Sequence, residues 1–195
     1  MSEEPEVIEL PDARLLLWER FMAPARAAEL FALWRHSLHW QQTTIRIAGL
    51  ERQIPRLNSW YGTHGYRYSG ASFPARPFPA ELEALRREVE QRTGYCFNAA
   101  LINLYRTGQD SVAWHSDDEP ELGENPAIAS FSLGATRVFR IRHKRTRQTL
   151  ELPLASGMLL LMAGSMQHHW QHCVPKTRRV TAERMNVTLR YLYSQ

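Results

Sequence analysis

The chain has 195 residues, of which 44% are hydrophobic and 23% are charged, and this size and composition fit one soluble globular domain. Its longest apolar run, Met158 to Ala163, is far shorter than the roughly 20 residues of a transmembrane helix. The acidic N-terminus lacks the basic start and apolar core of a secretory signal, and two cysteines are too few for a disulfide framework. We therefore predict an intracellular monomer without a membrane partner, cytoplasmic or, in a eukaryote, nuclear; the net charge of +4 favours a polyanionic partner.

Two helices are predicted in the first half of the chain. They follow an acidic arm at residues 1–12 that ends by pairing with a sheet edge, and residues 13–195 are predicted to form a single domain. Pro24 can open the first helix, which carries an apolar stripe. The second is predicted to begin at Pro79 or Ala80 and to stop at Gly94. Between the helices, residues 54–70 interleave glycine, aromatic residues and arginine, which suits either base stacking or a packed aromatic hairpin.

Alternation of apolar and polar residues takes over after the second helix. It predicts strands that follow an earlier one at residues 43–47. Their ranges are 97–105, 113–117, 127–133, 137–143, 157–162, 168–173 and 184–193. Helices followed by many short strands indicate a mainly β (α+β) fold, in which a jelly roll is backed by the N-terminal helices.

A metal site is indicated by His115 and Asp117, which leave the same face of a strand because they are two residues apart. An imidazole and a carboxylate are two thirds of the facial triad that holds non-haem Fe(II). A lone His-x-Asp is a weak signal, so a third ligand is needed from downstream. His168, His169 and His172 are the candidates, and spacing alone does not choose between His168 and His172.

The last predicted strand carries a polar row, which alternates with apolar residues that suit packing against the helices. Its members are Arg184, Asn186, Thr188 and Arg190. The row could face water, but an apolar row turned to the helices would place it inside the barrel. Two buried arginines need anions, and a dicarboxylic acid would satisfy both. Asn103 and Tyr105 share a face of a strand that is close in sequence to His115 and Asp117, and they can donate to the same acid.

A basic stretch from Arg137 to Arg147 is interpreted either as a solvated hairpin or as a phosphate-binding surface.

Several motifs occur in order from residue 54 to residue 193. They are Pro55-Arg56, Tyr61-Gly62, Tyr66-x-Tyr68-Ser-Gly70, Asn103-x-Tyr105, His115-Ser-Asp117-Asp118-Glu119, Ser130-x-Ser-Leu-Gly-Ala-x-Arg137-x-Phe139, His172 before Val174-Pro175, and Arg184-Met-Asn186-Val-Thr-Leu-Arg190. With these motifs the chain resembles the AlkB family of Fe(II)/2-oxoglutarate-dependent dioxygenases, and most closely its members that repair alkylated DNA. The fold that this resemblance implies is a double-stranded β-helix.

The resemblance also implies a role for individual residues. Iron would be held by His115, Asp117 and His172. Arg184, helped by Tyr105, would pair the distal carboxylate of 2-oxoglutarate, and the keto-acid end would be held by Arg190, Asn103 and Asn186.

Oxidative demethylation of N-alkylated bases in DNA, of the 1-methyladenine and 3-methylcytosine type, is the activity that the resemblance implies. It would consume O2 and 2-oxoglutarate and release succinate, CO2 and formaldehyde, with the damaged base flipped into the pocket. A recognition lid at about residues 43–72 would supply contacts to the base. The implied substrate-binding residues are Tyr66, Tyr68, Asp118, Glu119 and Arg56.

Two other interpretations stay open at this point. One is an oxygenase that acts on RNA or protein, and the other is a non-catalytic nucleic-acid-binding module. The hairpin at residues 47–50 lacks an aromatic wedge, which leaves the preference between duplex and single strands and between DNA and RNA undecided.

Overall fold

The computed structural model of the chain describes residues 4–47, 49–68 and 71–193. Its helices are α1 (Pro24–Ser37), α2 (Ala80–Thr93) and α3 (Met166–His169). The strands up to the second helix are β1 (Glu6–Leu10), β2 (Ala13–Trp18), β3 (Thr44–Ile47), β4 (Leu50–Gln53), β5 (Leu57–Gly62), β6 (Tyr66–Tyr68) and β7 (Ala71–Phe73). Those that follow are β8 (Ala99–Tyr105), β9 (Val112–His115), β10 (Ile128–Gly134), β11 (Arg137–His143), β12 (Thr149–Leu154), β13 (Leu159–Ala163), β14 (Trp170–Val174) and β15 (Arg184–Arg190).

Two antiparallel sheets form the body of the described part. The larger has the strand order β1-β2-β13-β10-β15-β8-β5, and the smaller has the order β12-β11-β14-β9. One apolar cluster lies between the larger sheet and the helices and includes Trp34, Leu85 and Val187. A second cluster lies between the sheets and includes Ile141 and Leu160. The predicted mainly β jelly roll with helices behind it is therefore confirmed.

Both predicted long helices are present at the predicted positions. Helix α1 begins at Pro24, where the missing N–H of proline costs no hydrogen bond. Helix α2 ends before Gly94, whose φ of 75° is the left-handed conformation that glycine adopts without strain. Leu82 and Leu85 are fully buried on the face that packs against the sheet.

The alternation along β15 decides where the site lies. Met185, Val187 and Leu189 belong to the cluster under the helices. The polar residues between them face the other way and line a cavity between the two sheets. β15 lies between β8 and β10, so both of its edges are paired and the whole strand is buried. The predicted inward polar row is confirmed.

The N-terminal hairpin and the α3 region depart from the predicted elements. β1 pairs with β2 at the edge of the larger sheet, and β2, like β12, has no counterpart among the predicted strands. Residues 166–169, which overlap the predicted strand at 168–173, are helix α3, and the strand there starts only at Trp170. None of the helices in the described ranges is long and apolar enough to cross a bilayer. The division into an arm, a domain and a lid stays a prediction.

Candidate metal and cosubstrate site

His115 and His172 are direct neighbours across the β9–β14 pair, and their ring centroids are 4.2 Å apart. Asp117 lies just beyond the end of β9. Its carboxylate oxygens are 3.9 Å from Nε2 of His115 and 3.8 Å from Nε2 of His172. One ligand atom from each residue lies within 4.8 Å of the others. His168, the other candidate from spacing, is exposed on α3 and contacts the carbonyl of Glu124.

The protonation of this cluster suits a cation. Nδ1 of His115 lies 2.8 Å from the carbonyl of Ala113, which can only accept, so Nδ1 carries the proton and Nε2 keeps its lone pair. Burial and, to a smaller extent, His115 lower the pKa of His172 to about 3, so its ring is neutral. Burial alone would raise the pKa of Asp117, but the charge of Arg190 is the largest influence in the other direction, and the net pKa is lowered, so the group is a carboxylate.

Arg190 joins the metal cluster to the polar row of β15. Its Nη2 donates to Oδ1 of Asp117 at 2.7 Å, and both side chains are almost fully buried. A guanidinium at this distance stabilises the charged carboxylate and adds a positive charge beside the three ligand atoms. An anion that approaches the metal position would therefore meet a cation already in place.

Arg184 lies at the other end of β15 and is 1% exposed. Its Nη2 donates to the hydroxyl of Ser132 at 2.9 Å, but Nε and Nη1 have no hydrogen-bond partner among the described residues. Burial lowers the pKa of Arg184 to about 10, and Tyr105, whose ring lies 5.3 Å from the guanidinium carbon, partly offsets this. A buried guanidinium with two unused donors fits a carboxylate ligand.

Amide side chains complete the polar wall of the same cavity. Asn186 donates to the hydroxyl of Ser130 at 2.8 Å, and Asn103 accepts a bond from Nε of Arg56 at 2.8 Å. Arg56 also donates to the carbonyl of Ser111 and is only 7% exposed, so it is part of the cavity wall. These residues place hydrogen-bonding groups between the arginine ends of β15.

Of the predicted substrate contacts, Asp118 and Glu119 are not among the described residues that line the cavity, whereas Arg56 is. Asp118 is exposed next to Asp117, with Nζ of Lys144 at 3.5 Å, and Glu119 is half-buried. The side chains of Tyr66 and Tyr68 lie outside the described part of the structure.

Arg137 does not fit the prediction that the basic stretch holds phosphates. It is 2% exposed, and its guanidinium donates to the carbonyls of Thr107, Gly108, Asp110 and Pro175. A guanidinium with four acceptors holds two loops together and is not available to a polyanion.

Two further residues contact the cluster: Phe139, which the motif ending in Arg137-x-Phe139 contains but to which no role was assigned, and Gln167, which sequence reasoning missed. Phe139 stacks on the ring of His172 with 5.2 Å between centroids. Gln167 is fully buried in α3 and accepts the backbone N–H of Asp117 at 2.9 Å. Neither stands in a motif of metal-ligand spacing, and their proximity arises only when β11 and α3 meet the end of β9.

A second group of potential ligands, Asp12, His143 and His169, lies where the turn between β1 and β2 meets the ends of β11 and α3. Nδ1 of His143 accepts the N–H of Thr146 at 3.0 Å, so its Nε2, which faces Asp12 at 3.4 Å, carries the proton. A metal ion would need a lone pair on Nε2 of His143, and the protonated Nε2 offers none. The group is therefore a hydrogen-bonded tether for the turn between β1 and β2.

Two imidazoles and one carboxylate on one side of a cavity form the donor set that suits non-haem Fe(II), and the unpaired donors of Arg184 suit a dicarboxylate. The residues present therefore fit both groups.

Residues 14–190 match the family model of the 2OG-Fe(II) oxygenase superfamily. The chain is 38% identical over 191 residues to human "Alpha-ketoglutarate-dependent dioxygenase alkB homolog 3", a match that covers 93% of this chain and 67% of that protein. It is 38% identical over 156 residues to human "DNA oxidative demethylase ALKBH2", covering 75% of this chain and 60% of the relative. The structure of OsALKBH1 has the same fold, with a TM-score of 0.69, 16% identity, and coverage of 94% of this chain and 99% of that one.

Proposed function

Because this chain belongs to the 2OG-Fe(II) oxygenase superfamily and, within it, to the AlkB family of 2-oxoglutarate-dependent dioxygenases, we propose that it demethylates N-alkylated bases in DNA. The lesions would be of the 1-methyladenine and 3-methylcytosine type, and the products succinate, CO2 and formaldehyde. The observation that carries the proposal is one buried cavity that holds the His-Asp-His cluster on the side of the smaller sheet and the unpaired donors of Arg184 on the side of the larger sheet. The DNA substrate is supported by the name of the ALKBH2 relatives.

Each end of the cavity has its own task in this proposal. Nε2 of His115, Nε2 of His172 and the carboxylate of Asp117 hold Fe(II), which supplies the oxidising chemistry with O2 and 2-oxoglutarate. Arg184, with Tyr105, binds the distal carboxylate of 2-oxoglutarate through its unused Nε and Nη1 donors.

The cation of Arg190 and the amides of Asn103 and Asn186 would hold the keto-acid end of 2-oxoglutarate. Arg56 holds the amide of Asn103 in place. Phe139 and the other apolar residues that line the cavity exclude water from the reacting centre.

Substrate recognition is proposed for the mouth of the cavity. Asp118 and Glu119 follow the iron-binding carboxylate directly, and anionic groups at this place favour a base that alkylation has made cationic. From the lid at about residues 43–72, Tyr68 would stack the flipped base against His115, and Tyr66 would line the pocket. Arg56 stays a predicted substrate contact, although its packing assigns it first to the wall of the cavity.

A matched pair of histidine variants tests the proposal. Full-length chain is incubated with Fe(II), 2-oxoglutarate and oligonucleotides that contain 1-methyladenine or 3-methylcytosine, as DNA and as RNA, and formaldehyde and succinate are measured. His172→Ala should abolish both products, whereas His168→Ala should leave them because His168 lies outside the cluster. If formaldehyde is released from the RNA oligonucleotides alone, RNA and not DNA is the substrate. If neither oligonucleotide gives a product, a protein substrate or a non-catalytic binding module is favoured. Equal loss in the two variants would contradict the assignment of the third ligand.

A further inference from the structure

The carboxylate of the metal cluster is held differently from its two histidines. His115 and His172 lie opposite each other in the β9–β14 ladder. Asp117 lies past the end of β9, which stops at His115, so its backbone depends on contacts outside the ladder. Its N–H donates to the side-chain oxygen of Gln167 at 2.9 Å. Gln167 lies in α3, which leads directly into the strand that carries His172.

We propose that Gln167 is a positioning residue, which fixes the orientation of the Asp117 carboxylate relative to His172. The inference rests on the proposed function, because it takes Asp117 and His172 as ligands of the metal. Gln167 is 0% exposed, so no water replaces its oxygen if the side chain is lost. The N–H of Asp117 would then be buried without its acceptor, and the peptide would turn to find another.

The other atoms of Gln167 and its neighbours keep this contact in one geometry. Nε2 of Gln167 points to the sulfur of Met162 at 3.9 Å, which leaves Oε1 directed at Asp117. Its backbone carbonyl accepts Nζ of Lys144 at 2.8 Å. One residue before Asp117, the hydroxyl of Ser116 donates to the carbonyl of Trp170 at 2.9 Å. The segment that bears the carboxylate is thus fastened at two successive residues to the α3–β14 unit.

Three variants separate positioning from simple packing. Gln167→Leu keeps the volume and removes the acceptor, whereas Gln167→Glu keeps an acceptor oxygen at the same reach. Gln171→Leu is the matched control, since Gln171 is four residues away on the same unit and accepts a bond from Arg142 at 3.3 Å, away from the cluster. The dissociation constant of Mn(II), a stand-in for Fe(II), is measured for the full chain by the electron paramagnetic resonance of free Mn(II). Thermal unfolding of the metal-free proteins is recorded in parallel.

Gln167→Leu should bind Mn(II) about 10- to 100-fold more weakly, as is usual when a group that orients a metal ligand is removed. The Mn(II) affinity of Gln167→Glu should lie between those of Gln167→Leu and the native chain, and the Mn(II) affinity of Gln171→Leu should match that of the native chain. Native-like Mn(II) affinity in Gln167→Leu, whatever its thermal stability, would overturn the inference, as would equal weakening in Gln171→Leu. Failure of the native chain to bind Mn(II) would instead remove the metal site on which the proposed function depends.

Discussion

Arg184→Met should weaken the binding of 2-oxoglutarate strongly without destabilising the protein in the absence of this cosubstrate. The guanidinium of Arg184 is buried, and two of its nitrogens lack a hydrogen-bond partner among the described residues. Hydrogen bonds to a charged group contribute about 1.5–3 kcal/mol each. Loss of the two donors to a carboxylate therefore costs about 3–6 kcal/mol, or about 10²- to 10⁴-fold in the dissociation constant.

The free energy of unfolding in the cosubstrate-free protein should stay level or rise. Methionine gives up one hydrogen bond to Ser132 and the contact with the Tyr105 ring. In exchange it removes a buried charge, and burial is the largest of the causes that lower the pKa of Arg184 to about 10. Removing an uncompensated buried charge is commonly neutral or stabilising.

Arg137→Met is the matched control because Arg137 is also buried in the barrel, but its guanidinium donates to four backbone carbonyls. Its loss leaves those carbonyls without donors and should lower the free energy of unfolding by about 3–5 kcal/mol. Binding is measured by calorimetric titration of 2-oxoglutarate in the presence of Mn(II), and stability by urea unfolding. The reasoning is refuted if Arg184→Met binds 2-oxoglutarate within a few-fold of the native chain, or if it destabilises the protein as much as Arg137→Met does.

Three further outcomes are expected. The pKa of His172 is about 3 in the folded chain and 6.5 ordinarily, so the unfolded chain binds more protons between these two pH values. Protonation of His172 therefore favours unfolding as the pH falls below about 6.5. This group should lower the free energy of unfolding of the metal-free protein by up to about 1.4 kcal/mol per pH unit as the pH falls from 6.5 towards 3. In urea unfolding of His172→Gln, the free energy of unfolding should depend less steeply on pH over this range. Asp118→Asn should lower kcat/KM a few-fold, about 1 kcal/mol, on cationic 3-methylcytosine but less on neutral 3-methylthymine, and an equal loss on both would argue against a charge contact. Gly108→Ala would place a Cβ 2.2 Å from the carbonyl oxygen of Thr177, so its chemical-unfolding midpoint should fall, whereas an unchanged midpoint would show that the two loops move apart freely.

The sequence predicted best what depends on local alternation. The inward polar row of β15 follows from period-two spacing over seven residues and from a helix-facing apolar row, which needs no knowledge of distant partners. The ends of α1 and α2 are marked by Pro24 and Gly94, whose backbone preferences act locally. Such signals are read directly because each residue carries its own conformational preference.

Contacts that arise between distant segments could not be read in the same way. The choice between His168 and His172 depends on the register of β14 against β9, which places only His172 opposite His115. The burial of Arg137 depends on two loops that meet around it. A basic residue in a charged stretch is predicted from sequence to be exposed to solvent. The backbone carbonyls that accept its hydrogen bonds become apparent only in the folded structure.

The unequal anchoring of the metal cluster has a consequence for how such an enzyme diversifies. Two of its three ligands lie in a sheet, where β14 with His172 is paired on both sides and the edge strand β9 with His115 is paired to β14. The third begins an irregular segment that runs on through Asp118 and Glu119 towards the rim. Substitutions downstream of that third ligand can therefore change which substrates the cavity accepts while the iron ligands keep their positions. The fold can thus acquire new substrates without a change in its metal chemistry.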